Sequence, residues 1–147
     1  MDYNEFYRLI GQVTYSFARI DFLISNIAVD LGLVKTYQEF YAKRNFERKV
    51  RAIKDCLSDS MVDPDIRNEF DIQFDLLEQL RITRNNLTHA IILNNKDDFM
   101  LYNFALINGK VQREIMSHSM VDFKKINQDF IDLHNAIYTL WQKIKPV

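Results

Sequence analysis

Residues 2–31 read DYNEFYRLIGQVTYSFARIDFLISNIAVDL. Within this stretch Phe6, Ile10, Val13, Phe17, Ile20, Ile24, Ile27 and Leu31 recur at unbroken three-four spacing. An α-helix turns about 100° per residue, so these side chains form one narrow apolar seam. The spacing predicts a helix from about Asp2 to Leu31, of the kind used in helical bundles. Gly32 follows, and glycine accepts the left-handed geometry that ends helices.

The rest of the chain supplies partners for that seam. A second helix is expected from Lys43 to Leu57, with Phe46, Val50, Ile53 and Leu57 on one face. A third starts near Asp63, an N-cap residue followed by Pro64 at the first helical position, and is expected to run to Leu93. After a polar connector at Asn94 to Asp98, the period changes to two: Met100, Tyr102, Phe104 and Leu106 alternate on one side. Asn108-Gly109 then favours the two-residue turn of a β-hairpin, placed at about residues 99–116. The last helix starts near Ser119, with Asp122 in a capping-box position. Phe123, Ile126, Phe130, Leu133, Ile137, Leu140 and Ile144 form its seam. Four seams bury most simply against one another. The expected fold is mainly all-α: an antiparallel four-helix up-and-down bundle with a β-hairpin inserted before the last helix.

Composition agrees with that expectation. The 147 residues suit a single domain, 1–147, and 48% hydrophobic residues supply a sizeable core. Three glycines and two prolines favour long helices over an all-β fold. A net charge of -1 gives no global attraction for polyanions, so nucleic-acid contact needs a local basic patch. Cys56 is the single cysteine, which excludes an internal disulfide and suits a reducing cytosol. The chain opens without a basic leader or an apolar signal core, and its most apolar stretch, Ile20 to Val34, contains Asp21 and Asp30. A cytoplasmic protein with no membrane partner is expected.

Arg84 breaks the pattern of the third helix. Ile66, Phe70, Leu77, Leu80, Leu87 and Ile91 set a three-four rhythm that puts Gln73 and Arg84 on the same stripe. A guanidinium keeps its charge in a protein, so a seam position obliges it to find an anion or water. Two readings stand. One is a structural ion pair with Asp21 or Glu78; the other is a site that meets a negatively charged ligand. His89 lies five residues on, roughly 140° around the helix. Glu78, Asn85 and His89 fall within roughly 40° of one another at the stripe's margin. Asn85, one turn before His89, is spaced to hydrogen-bond its ring, and the long arginine stem can curl toward that margin. A permanent cation beside an imidazole suits phosphodiester chemistry in RNA. The imidazole moves the 2′-hydroxyl or leaving-group proton, and the guanidinium stabilises charge on the phosphoryl oxygens, with no metal required.

The segment Arg84-Asn85-Asn86-Leu87-Thr88-His89, late in a helix of an antiparallel helical domain, resembles the signature of the HEPN superfamily (higher eukaryotes and prokaryotes nucleotide-binding domain). That signature is an arginine, usually a polar residue next, and a histidine after a short gap. The motif covers six residues, and the helical architecture nearly the whole chain. The resemblance implies an α-helical domain, often dimeric, with two motifs facing a shared cleft. Many members are metal-independent endoribonucleases in toxin–antitoxin, abortive-infection and other defence systems; some only bind nucleotides. It implies Arg84 and His89 as catalytic residues, Asn85 as supportive, and Glu78 or Asp21 as an upstream acid. The expected partners are a second copy of the chain, RNA, and an antitoxin-like or other protein, without cofactor or metal. The alternative is a non-catalytic module that binds a nucleotide or another protein.

Other residues are read more plainly. Lys43, Arg44, Arg48, Lys49, Arg51 and Lys54 cluster on the second helix, with Arg44, Arg48 and Arg51 on one face. That face reads as a basic groove for an RNA backbone or, with Glu47 and Asp55 interspersed, as a solvated surface. Tyr7, Tyr15, Tyr37 and Tyr41 flank the seams and serve either packing or base stacking. His118 and His134 read as structural or exposed.

Overall fold

The computed structural model describes the backbone of residues 3–43, 45–89, 91–95, 98–118 and 120–145, and the side chains of 4–43, 45–88, 108–111 and 122–145. The chain is mainly helical. Its elements are α1 (Tyr3–Asp30), α2 (Tyr37–Tyr41), α3 (Phe46–Ser58), α4 (Pro64–His89), β1 (Ile91–Asn95), β2 (Asp98–Ile107), β3 (Lys110–His118) and α5 (Met120–Ile144).

The ends of α1 and α4 follow from local chemistry. Gly32 takes φ +74°, and the bonds Leu33 N–H to Ala28 O and Gly32 N–H to Val29 O, both 2.9 Å, close α1 in a Schellman motif. Asp63 caps α4 by accepting from the Asp65 N–H at 2.8 Å, with Pro64 in the first turn, where a missing N–H costs nothing.

Two helix boundaries differ from expectation. The second long helix begins at Phe46 rather than Lys43, because the Asn45 side chain accepts from the Arg48 N–H at 3.0 Å and starts the helix there. Lys43 is left in the preceding loop, after the short helix α2, which the periodicity does not reveal. The third long helix ends at His89, not Leu93. Ile91, Ile92 and Leu93 instead pair with Tyr102, Leu101 and Met100 of β2. A short apolar, β-branched run reads equally well as a helix end or as a strand, and the ladder to β2 decides the case. The sheet is therefore three-stranded and antiparallel in the order β1-β2-β3, where the sequence suggested two strands. Between β2 and β3, Asn108 (φ 51°) and Gly109 (φ 74°) both occupy positive φ, as the tight primed turn requires.

One buried cluster draws side chains from all five helices, including Phe6 and Ile24 of α1, Phe40 of α2, Ile53 of α3, Phe74 of α4 and Phe130 of α5. α1 packs on α5, α4 on both α5 and α3, and α2 on α1. Trp141 of α5 donates its indole N–H to Asp30 at 2.6 Å, which ties the two ends of α1 and α5 together. Among the described residues no helix is long and apolar enough to cross a membrane.

Candidate anion-binding site at Arg84

α1, α3, α4 and the loop before α3 enclose an open pocket of about 490 Å³. Arg84 and Asn85 line it from α4, and Phe17 and Asp21 from α1. Lys49 of α3, Arg81 of α4 and Lys43 of the loop complete its cationic wall. The seam position of Arg84 has a direct consequence. Its guanidinium carbon lies 4.3 Å from the centroid of the Phe17 ring, a cation–π contact against a nearly buried aromatic face. Phe17 is held in turn by Phe46 at 5.0 Å and by Phe130, edge-on at 6.2 Å. The core thus fixes the platform on which the arginine rests.

Neither Asp21 nor Glu78 forms the expected ion pair with Arg84. Asp21 bonds Lys49, with Nζ 2.5 Å from Oδ1. Glu78 takes Arg81 in a two-pronged pair, at 2.8 Å to Nε and 2.5 Å to Nη2. Arg81 also reaches Glu47 at 3.0 Å. Among the described residues no carboxylate stands within ion-pair distance of Arg84, and its buried Nε has no hydrogen-bond partner. Burial, and then the like charge of Arg81, weaken the hold of Arg84 on its proton, while Asp21 works the other way. A guanidinium stays protonated through such a shift, so the result is a charged group with unused donor capacity.

Lys49 departs from the basic cluster in which its sequence neighbours place it. Only 2% of it is exposed. Its ammonium sits between Asp21 and the carbonyl of Tyr41, with the rings of Phe40, Tyr41 and Phe46 within 6 Å. The signal was present: Phe46, Lys49, Ile53 and Leu57 keep three-four spacing, so Lys49 interrupts a seam as Arg84 does. Burial raises the Asp21 carboxyl above its usual 3.8, against the opposing pull of Lys49 and Arg84. Arg81 holds Glu78 below its usual range through its hydrogen bonds.

The remaining site expectations divide. Asn85 joins Arg84 at the pocket. Thr88 braces this turn by donating to the carbonyl oxygens of Arg84 at 3.0 Å and Asn85 at 3.3 Å. His89 is the last residue of α4, and its side chain lies outside the described residues, as does all of Arg44. Glu78 borders a neighbouring groove rather than this pocket, together with Arg51. Arg48 borders a third groove with Lys43 and Lys49. The structure therefore does not bring Arg48 and Arg51 to one groove. Among the described residues no cluster of histidine, cysteine and carboxylate side chains is arranged to hold a metal ion.

Four cations line the pocket, Lys43, Lys49, Arg81 and Arg84, against two carboxylates, Asp21 and Glu47. That excess of positive charge, with one guanidinium uncommitted, suits an anionic ligand. In comparisons with known proteins, no family model, no curated protein and no solved structure matches this chain.

Proposed function

We propose that this chain is a metal-independent endoribonuclease of HEPN type, acting as a dimer in a toxin or phage-defence setting. Its helices α1, α3, α4 and α5 are read as an antiparallel up-and-down bundle, with the sheet inserted before the last. The observation that carries the reading is Arg84: a guanidinium on a pocket wall, supported by Phe17 and in ion-pair contact with no carboxylate among the described residues. In this reading the scissile phosphate supplies the missing anion. Arg84 stabilises charge on its oxygens, Asn85 orients the imidazole of His89, and His89 moves the proton. A second subunit contributes a second histidine, so that one acts as base and the other as acid. An antitoxin-like protein is the expected regulator.

RNA incubated in chelator with the wild-type chain, with His89→Ala and with Arg84→Ala tests the reading. Cleavage by the wild type alone is expected, with losses of 10²-fold or more in the variants. Equal cleavage by all three, or none by any across several RNAs, removes the nuclease.

A second reading is a module that binds a nucleotide or a protein without turnover. It is favoured by the engagement of Asp21 with Lys49 and of Glu78 with Arg81, which commits both candidate acids to cations. An Arg84-dependent rise in melting temperature with nucleotides, without product, distinguishes it.

A further inference from the structure

A second concavity, of about 540 Å³, runs between α1 and α5 on a different side of α1 from the Arg84 pocket. Its walls are unusually aromatic. Tyr15, Phe22 and Tyr138 line it while 67%, 47% and 47% exposed, and His134 and Trp141 complete the aromatic lining. His134 and Tyr138 lie nearly parallel, 12° apart in plane with centroids at 6.5 Å, and Tyr138 meets Trp141 edge-on at 5.7 Å. Two of the rings are held by neighbours. The Trp141 indole is pinned to Asp30, and the Phe22 ring meets Tyr37 edge-on at 5.1 Å.

Arg19 is the one charged side chain among the lining residues, and the Asp30 carboxylate stands against the Trp141 indole. Arg19 lines it and makes no ion pair among the described residues, and no carboxylate is among the lining side chains. Lys145 stands over the Trp141 ring at 4.8 Å. Arg19 neighbours His134, whereas Trp141 is joined to Asp30, eleven residues further along α1. The rings between the two cations, from His134 to Trp141, span seven residues of α5, roughly 10 Å at 1.5 Å per residue.

We propose that this α1–α5 groove binds single-stranded RNA, stacking two or three unpaired bases on its rings while Arg19 and Lys145 meet the phosphates. The proposal rests on the reading of the chain as an RNA-processing protein and adds the form of RNA it takes. Exposed rings offer π-faces to any unstacked base, whereas a duplex hides its bases inside and presents only backbone to a groove. Arg19 in the lining and Lys145 over Trp141 supply a cation for the phosphates at each end of the rings. A second copy of the chain fits less well, because a twofold axis through this site sets hollow against hollow and Arg19 against Arg19.

Fluorescence anisotropy in chelator, with a labelled single-stranded oligoribonucleotide and a labelled RNA duplex of equal length, tests the proposal. The proteins are the wild type, Tyr15→Ala/Tyr138→Ala, Arg19→Ala and, as a control outside the groove, Tyr7→Ala. Cleavage of the same RNAs is followed separately, and sedimentation gives the oligomeric state. The double variant should lose about tenfold or more in single-strand affinity, with duplex affinity and Tyr7→Ala unchanged. Arg19→Ala should shallow the salt dependence by about one counterion. Single-strand affinity unchanged in the double variant overturns the proposal. So does a double variant that merely dissociates a dimer while still binding RNA. If the wild type cleaves while the groove variants bind normally, this proposal alone fails. If single-strand binding depends on the groove but no RNA is cleaved, the nuclease reading alone fails.

Discussion

Arg84 and Lys49 are two cations placed on apolar seams, and the protein treats them oppositely. Lys49 is buried, bonded to Asp21 and surrounded by three rings. It has the character of a structural ion pair, in which removing one partner strands the other charge. Lys49→Met and Asp21→Asn should each cost about 3–5 kcal/mol in urea denaturation, and the double variant clearly less than the sum. Additive losses would show that the two side chains do not depend on each other. Among the described residues Arg84 has no such partner, and its buried Nε is left unsatisfied. Methionine can retain the stem's packing on Phe17 without the charge. Arg84→Met should therefore keep the fold and gain about 1 kcal/mol. The same variant should lose any stabilisation by nucleotide or RNA. A marked loss of stability in Arg84→Met would mark the guanidinium as architectural.

At the scale of elements, caps and register set where these side chains stand. Asn45 starts α3 and so determines that Lys49, one turn in, faces Asp21. Asn45→Ala should cost about 1 kcal/mol by thermal or urea denaturation, and an unchanged midpoint would count against the cap. On α5, burial lowers the affinity of His134 for a proton below the usual 6.5, its bond with Asn135 opposes that, and the charge of Arg19 adds to the lowering. The folded chain thus holds this imidazole neutral more firmly than the unfolded chain does. The corresponding stability is present above pH 6.5 and is lost as pH falls through the lower folded value. Asp21 has the opposite sign. Its carboxyl is raised, so its contribution is complete below 3.8 and disappears as pH rises through the folded value. Denaturation midpoints of the wild type and His134→Gln at pH 7 and pH 5.5 check the histidine, and the variant should lose less stability on acidification. Equal losses would mean that His134 does not contribute to the acid limb.

For the whole molecule, the site depends on a core it shares with every helix. Phe130 is fully buried on α5, and its ring meets Phe17, the platform under Arg84. Phe130→Ala should destabilise the chain by about 3–5 kcal/mol, and a loss below 1 kcal/mol would indicate that the helices repack around the gap. Much of this architecture is legible in the primary structure. The seam from Phe6 to Ile27 and the glycine stop at Gly32 depend on neighbours within a turn or two, and so does the Asp63-Pro64 helix start. Arg84 was conspicuous for the same reason, as a charge where local periodicity calls for an apolar residue. The sequence alone thus determined the mainly helical character, the long seams and the anomalous cation. Only the tertiary structure decided how the charges are shared. Asp21 and Lys49 stand 28 residues apart, and Arg81 and Glu47 stand 34 apart. No local pattern ranks such pairs against Arg84, because their energies depend on which helices meet and on how much water is excluded between them. The end of α4 at His89 was settled in the same way, by a strand partner that local periodicity does not identify.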